Sequence, residues 1–96
     1  MADDTDALHQ IMMQRMMLVG EIAKLNAEQL RNTQMMSGNQ IELMRCSENS
    51  GEEAQSELAN AKLRDAELRD KITQCENKLN ALEEKVAAID SKLATL

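Results

Sequence analysis

The stretch from Ala54 to Leu96, AQSELANAKLRDAELRDKITQCENKLNALEEKVAAIDSKLATL, decides the fold. Its apolar residues recur in alternating steps of four and three. With the two alternating positions named a and d, Leu58, Asp65, Ile72, Leu79, Val86 and Leu93 fall at a. Ala54, Ala61, Leu68, Cys75, Leu82, Ile89 and Leu96 fall at d. A mean step of 3.5 residues nearly matches one α-helical turn, so these side chains form one stripe along a helix. The register holds over six heptads, well beyond the three or four that mark a coiled coil. The stripe is narrow at Ala54 and Ala61 and broad from Leu68 onward, so its C-terminal half is expected to hold most of the packing. Only Asp65 interrupts it. That residue marks either a loose, wet end of the seam or a polar device that sets register. Leu63 lies outside the seam, as an isolated surface leucine or a contact for another helix.

Charges beside the seam carry an orientation. In a parallel pair, each g residue meets the e residue five positions later on the partner. Those pairs are Glu57–Lys62, Arg64–Arg69, Lys71–Glu76, Lys78–Glu83 and Lys85–Asp90, and only Arg64–Arg69 repels. An antiparallel self-pair would set lysines against lysines. Each exposed pair contributes only ~0.5 kcal/mol, but the repetition favours parallel pairing. Ile72 and Val86 at a, with Leu68 and Leu82 at d, lean towards a dimer, while Leu79 at a and Ile89 at d keep a trimer open. The expected partner is the chain itself: a dimer first, a trimer or tetramer as alternatives.

Composition agrees with a helical assembly. The 96 residues include no Phe, Tyr, Trp or Pro. Without aromatic residues a bulky compact core is hard to build, and without proline nothing interrupts a helix by ring clash. A chain this short has little stability in reserve. Two cysteines and one histidine offer no disulfide framework and no structural metal site. Self-association is the remaining staple.

The N-terminal half differs in kind, since all eight methionines lie in residues 1–50. A first helix is expected to begin near Asp4 or Thr5 as its cap, with Asp3, Asp4 and Asp6 suiting the positive end of its dipole. It is expected to run to about Met36. Ser37-Gly38-Asn39-Gln40 predicts a break followed by a short helix to Arg45, with a continuous helix as the alternative. Cys46 to Gly51 predicts the stronger turn, with Cys46 exposed in it. Ser50 and Glu53 fit a capping box for the second helix. The domain reading is therefore a Met-rich amphipathic segment over 1–50, with turns near 37–40 and 46–51, and a heptad helix over 51–96. Two arms of about 40 residues would each span roughly 60 Å.

In the first helix, Leu8, Ile11, Met12, Met16, Val19, Ile22, Ala23 and Leu30 form a partner-binding or bundle face. With Met13, Met17, Leu18 and Leu25 it covers about half the circumference, more than one neighbouring helix can cover. The fold class predicted is all-α: a long helical hairpin that self-associates through its C-terminal coiled coil. A parallel dimer of hairpins forming a four-helix bundle satisfies both faces. The run MMQRMM at residues 12–17 suits adaptable core filling or a groove for apolar segments of a partner. Its thioethers would suit Cu(I), but nothing else supports a copper site.

Several functions are disfavoured. The net charge of −6 opposes phosphate backbones and anionic membranes, so no nucleic-acid partner is expected. The acidic start does not read as a secretory signal. The apolar stretch from Ile11 to Val19 contains Gln14 and Arg15 and is too short to span a bilayer. A cytoplasmic location is expected, with leaderless export compatible. His9 has no evident catalytic companions. Residues 46–57 share the Gly-to-Glu spacing of a calcium loop but place Cys46 where a hard oxygen ligand belongs. No cofactor and no enzymatic activity are expected. The leading functional expectation is a structural subunit of a larger complex, such as a scaffold, filament or secretion-type apparatus. The alternative is a helical adaptor or chaperone whose Met-rich helix holds an apolar segment of a partner, for example in a protein secretion system.

Overall fold

The computed structural model describes residues 2–96, with side chains from Thr5 onward. The chain folds as an all-α hairpin: α1 spans Ala2–Glu48 and α2 spans Glu52–Ala94. Asn49, Ser50 and Gly51 make the connection. Gly51 has φ 119°, a conformation that side-chain-bearing residues rarely adopt. Its carbonyl accepts the first helical bond of α2, from the Gln55 N–H at 3.0 Å. Gly51 is therefore the N-terminal cap of α2, one residue later than the expected Ser50. Glu52 and Glu53 in the first turn suit the helix dipole.

The hairpin comprises two compact units, Met1–Ala27 with Asn77–Leu96, and Glu28–Glu76. In the first, remote from the turn, Ile11, Arg15, Leu18, Ile22 and Leu25 of α1 are half-buried. On α2 Leu79, Leu82, Val86 and Leu93 are half-buried and Ile89 is buried. Arg15 Nε donates to Asp90 Oδ1 at 2.7 Å, tying the helices together. The arginine holds the Asp90 carboxyl below the usual carboxylate range, chiefly through that hydrogen bond.

In the unit beside the turn, Gln29, Asn32, Met36, Asn39, Leu43 and Cys46 line the inner side of α1. Ala54, Leu58, Ala61, Asp65, Leu68, Ile72 and Cys75 line that of α2. Polar side chains bridge the helices here. Gln29 Nε2 donates to the Ile72 carbonyl at 3.0 Å and Asn39 Nδ2 to the Ala61 carbonyl at 2.9 Å. Gln40 Nε2 donates to Asp65 Oδ1 at 2.7 Å, and Arg69 Nε bonds the other Asp65 oxygen at the same distance. Asp65 thus belongs to a cross-helix hydrogen-bond set rather than to a loose end. No buried side-chain polar atom lacks a partner among the described residues.

Along α2, every a and d residue from Ala54 to Leu93 is buried or half-buried, as the spacing requires. Leu96, given a d position, is 78% exposed because α2 ends at Ala94. The covering partner is α1 of the same chain. Two acids of α2 pair with α1: Asp90 with Arg15, and Glu57 with Arg45.

Four expectations are corrected. First, α1 runs through 37–40 without a break. Ser37 and Gly38 cost a helix only about 1.5 kcal/mol between them, and no proline forces a stop. Asn39, read as a turn residue, is instead buried and bonded across to α2. Second, Cys46 is 2% exposed, because it lies in the last turn of α1 and faces α2. Third, the cap shifts from Ser50 to Gly51. Fourth, α1 is already helical at Ala2, ahead of the caps expected at Asp4 or Thr5. The side chains of Asp3 and Asp4 lie outside the described residues.

Candidate interaction surfaces

The inner line of α1 follows its own alternation: 11, 15, 18, 22, 25, 29, 32, 36, 39, 43, 46. Its steps are four and three throughout, so it is a coiled-coil seam like that of α2. Periodicity of apolar residues alone misses it, because Arg15, Gln29, Asn32 and Asn39 occupy four of its positions. Allowing Asn and Gln within the seam would have found it.

This line divides the predicted α1 face. Ile11 and Ile22 belong to it and turn towards α2. Leu8, Met12, Met16, Val19 and Ala23 do not, and all five are exposed, with Met16 at 69%. At about 100° per residue they form a second row, roughly a quarter-turn around α1 from the first. Leu30, on the other unit, is 60% exposed. Met13 and Met17 are exposed as well, so the methionine run lies at the surface rather than filling a core.

The second row carries no charge. The charged residues of α1 between Leu8 and Ala27 are Arg15, Glu21 and Lys24. Arg15 is tied to Asp90. Glu21 lies more than a third of a turn from every residue of the row by the same angular count, and Lys24 lies about 80° beyond its edge at Met16. An exposed row of large apolar residues, flanked by a single arginine already paired with Asp90, is the kind of surface that marks an interaction site.

The α2 seam is a different case. Ala61, Leu68, Cys75 and Ile89 are buried on the inside of the hairpin, and Leu58, Asp65, Ile72, Leu79, Leu82, Val86 and Leu93 are half-buried there. Leu63 is exposed outside the seam, as its position requires.

One cluster of chemically capable groups lies beside the turn. Ligand atoms of Glu42, Cys46 and Glu57 come within 4.8 Å of one another. The guanidinium of Arg45 already bonds both carboxylates, at 2.9 Å to Glu57 Oε2, and supplies the positive charge there. The Arg45 hydrogen bond holds the Glu42 carboxyl below its usual range. Burial, then the Glu42 carboxylate, pushes the Cys46 thiol up, which keeps it protonated and a poor nucleophile or ligand. The geometry is that of an interhelical clasp. Cys75 is buried at its seam position, and neither cysteine is in a disulfide. His9 is exposed on α1.

Among the described residues, no helix is long and apolar enough to cross a membrane. No family model, no curated protein and no solved structure matches this chain.

Proposed function

We propose that this chain is a non-enzymatic assembly subunit that acts by helix packing and completes its apolar burial only on association with other chains. The observation that carries this reading is the surface it leaves uncovered. The hairpin exposes 7326 Å², whereas a compact monomer of 10.8 kDa exposes about 5,500 Å². That surface includes the exposed apolar side chains Leu8, Met12, Met16, Val19 and Leu30 of α1, the kind of uncovered surface that marks an interaction site. Among the described residues the buried apolar ones are Cys46, Ala61, Leu68, Cys75 and Ile89, a small core for this length. Two buried cysteines outside any disulfide fit a reducing, cytoplasmic setting.

The test is equilibrium sedimentation joined to thermal unfolding over a thousandfold concentration range. Oligomerisation stabilises by mass action, so species larger than a monomer and a Tm that rises with concentration are expected. A folded monomer with a constant Tm would remove this reading. The exposed methionines favour a second reading, an adaptor for apolar segments of another protein, since methionine surfaces adapt to varied partners. In that case the chain stays monomeric when pure and gains stability only with its client.

A further inference from the structure

We infer that the α1 face formed by Leu8, Met12, Met16, Val19 and Ala23 pairs antiparallel with the same face of a second copy of this chain. This rests on the association reading above and assigns its surface and geometry. Met12, Met16, Val19 and Ala23 follow steps of four, three and four, which is a coiled-coil seam in its own right. All are exposed while the first seam of α1 is occupied by α2. A helix with two such seams can pack on two neighbours at once, as in a four-helix bundle.

Charge and size single out a second copy. In an antiparallel pair, e positions face e and g positions face g. For this seam the e positions are Met13, Gly20 and Ala27, and the g positions are Leu8, Arg15 and Ile22. No like charges are brought together, because Arg15 comes opposite Ile22 and is already bonded to Asp90. The sizes also alternate in the sense that a two-fold axis requires. With the axis near residues 17 and 18, Met12 meets Ala23 of the other copy and Met16 meets Val19. Beside them, Met13 meets Gly20. Each large side chain meets a smaller one, and the relation is reciprocal, as an isologous interface demands. A Cβ at Gly20 would find nothing within 4 Å in the single hairpin, so that space is open to a partner. Parallel pairing would instead stack Met16 on Met16 and Ala23 on Ala23, crowding one layer and leaving a void in the next.

The experiment mixes two single variants, Met12→Cys and Ala23→Cys, and oxidises them at a concentration where the wild type is oligomeric. Peptide mapping then reads which sulfurs join, separating the new cysteines from the buried Cys46 and Cys75. The expected product is the 12–23 disulfide, several-fold in excess of 12–12 and 23–23. A dominant 12–12 product overturns the antiparallel pairing. An oligomer that forms neither link overturns the face while leaving the association reading intact, and a folded monomeric wild type overturns both. As a check that does not rely on oxidation, Met16→Glu with Val19→Glu should weaken association at least tenfold. Oligomer size unchanged by that pair would also overturn the assignment.

Discussion

Asn39 uses both ends of its amide at a seam position where an apolar residue would ordinarily sit. Its Nδ2 donates to the Ala61 carbonyl at 2.9 Å, and its Oδ1 accepts from Arg64 Nε at 3.3 Å. The opposing Ala61 is fully buried and small, which lets the amide approach the α2 backbone. A heptad repeat looks alike after every seven residues, so apolar contacts alone leave helix pairs free to slip by one repeat. A directional bond to one particular carbonyl removes that freedom, which is the best-attested role of polar residues within coiled coils. Asn39→Ala removes both bonds and leaves a small gap. It should lower the unfolding free energy by about 1–2 kcal/mol, read by urea denaturation at one fixed protein concentration. No loss would mean that the bond has no net value in water. At this scale the sequence was only partly legible. Asp65 stood out as an exception in the α2 seam, but its partner, Gln40, sat in a segment read as a break.

Among the elements, α2 could be read almost residue by residue, and α1 could not. The reason is physical. The stripe of α2 is apolar apart from Asp65, so hydrophobic spacing and inward orientation coincide. On α1 they part company. Polar residues face inward at Arg15, Gln29, Asn32 and Asn39, while Met12, Met16 and Val19 face outward. A reading that follows hydrophobicity therefore blends two seams into one broad face. The same mixture explains the expected break at 37–40, where Ser, Gly, Asn and Gln resemble a turn unless their cross-helix partners are known. The glycines separate the two situations experimentally. Gly38 lies within a helix, with open space where a Cβ would go, whereas Gly51 holds φ 119°. Gly38→Ala should raise stability by about 0.5–1 kcal/mol. Gly51→Ala should lower it by about 1 kcal/mol or more. Thermal melts of the two variants at matched concentration would show the opposite signs. If both shifted the same way, the reading of Gly51 as the required cap would be wrong.

For the molecule as a whole, the surface left bare matters more than any single contact. Length and composition raise the expectation of association, which the sedimentation experiment tests, because so short a chain without aromatic residues has little to bury. What they could not supply was the division of labour: the strong C-terminal seam closes the hairpin, and the weaker-looking methionine face is the one left open. That arrangement has a kinetic consequence. The cross-links beside the turn join residues 11, 12, 22 and 25 positions apart, whereas Arg15 and Asp90 are 75 apart. Closing a short loop costs less chain entropy than closing a long one, and local contacts form sooner. The hairpin should therefore zip from Gly51 outward and unzip from its free ends. In native-state hydrogen exchange, amides flanking Asn39 and Ala61 should outlast those flanking Arg15 and Asp90. Capping of the open methionine face by a second copy would narrow that gradient, so the far ends would keep their protons longer as concentration rises.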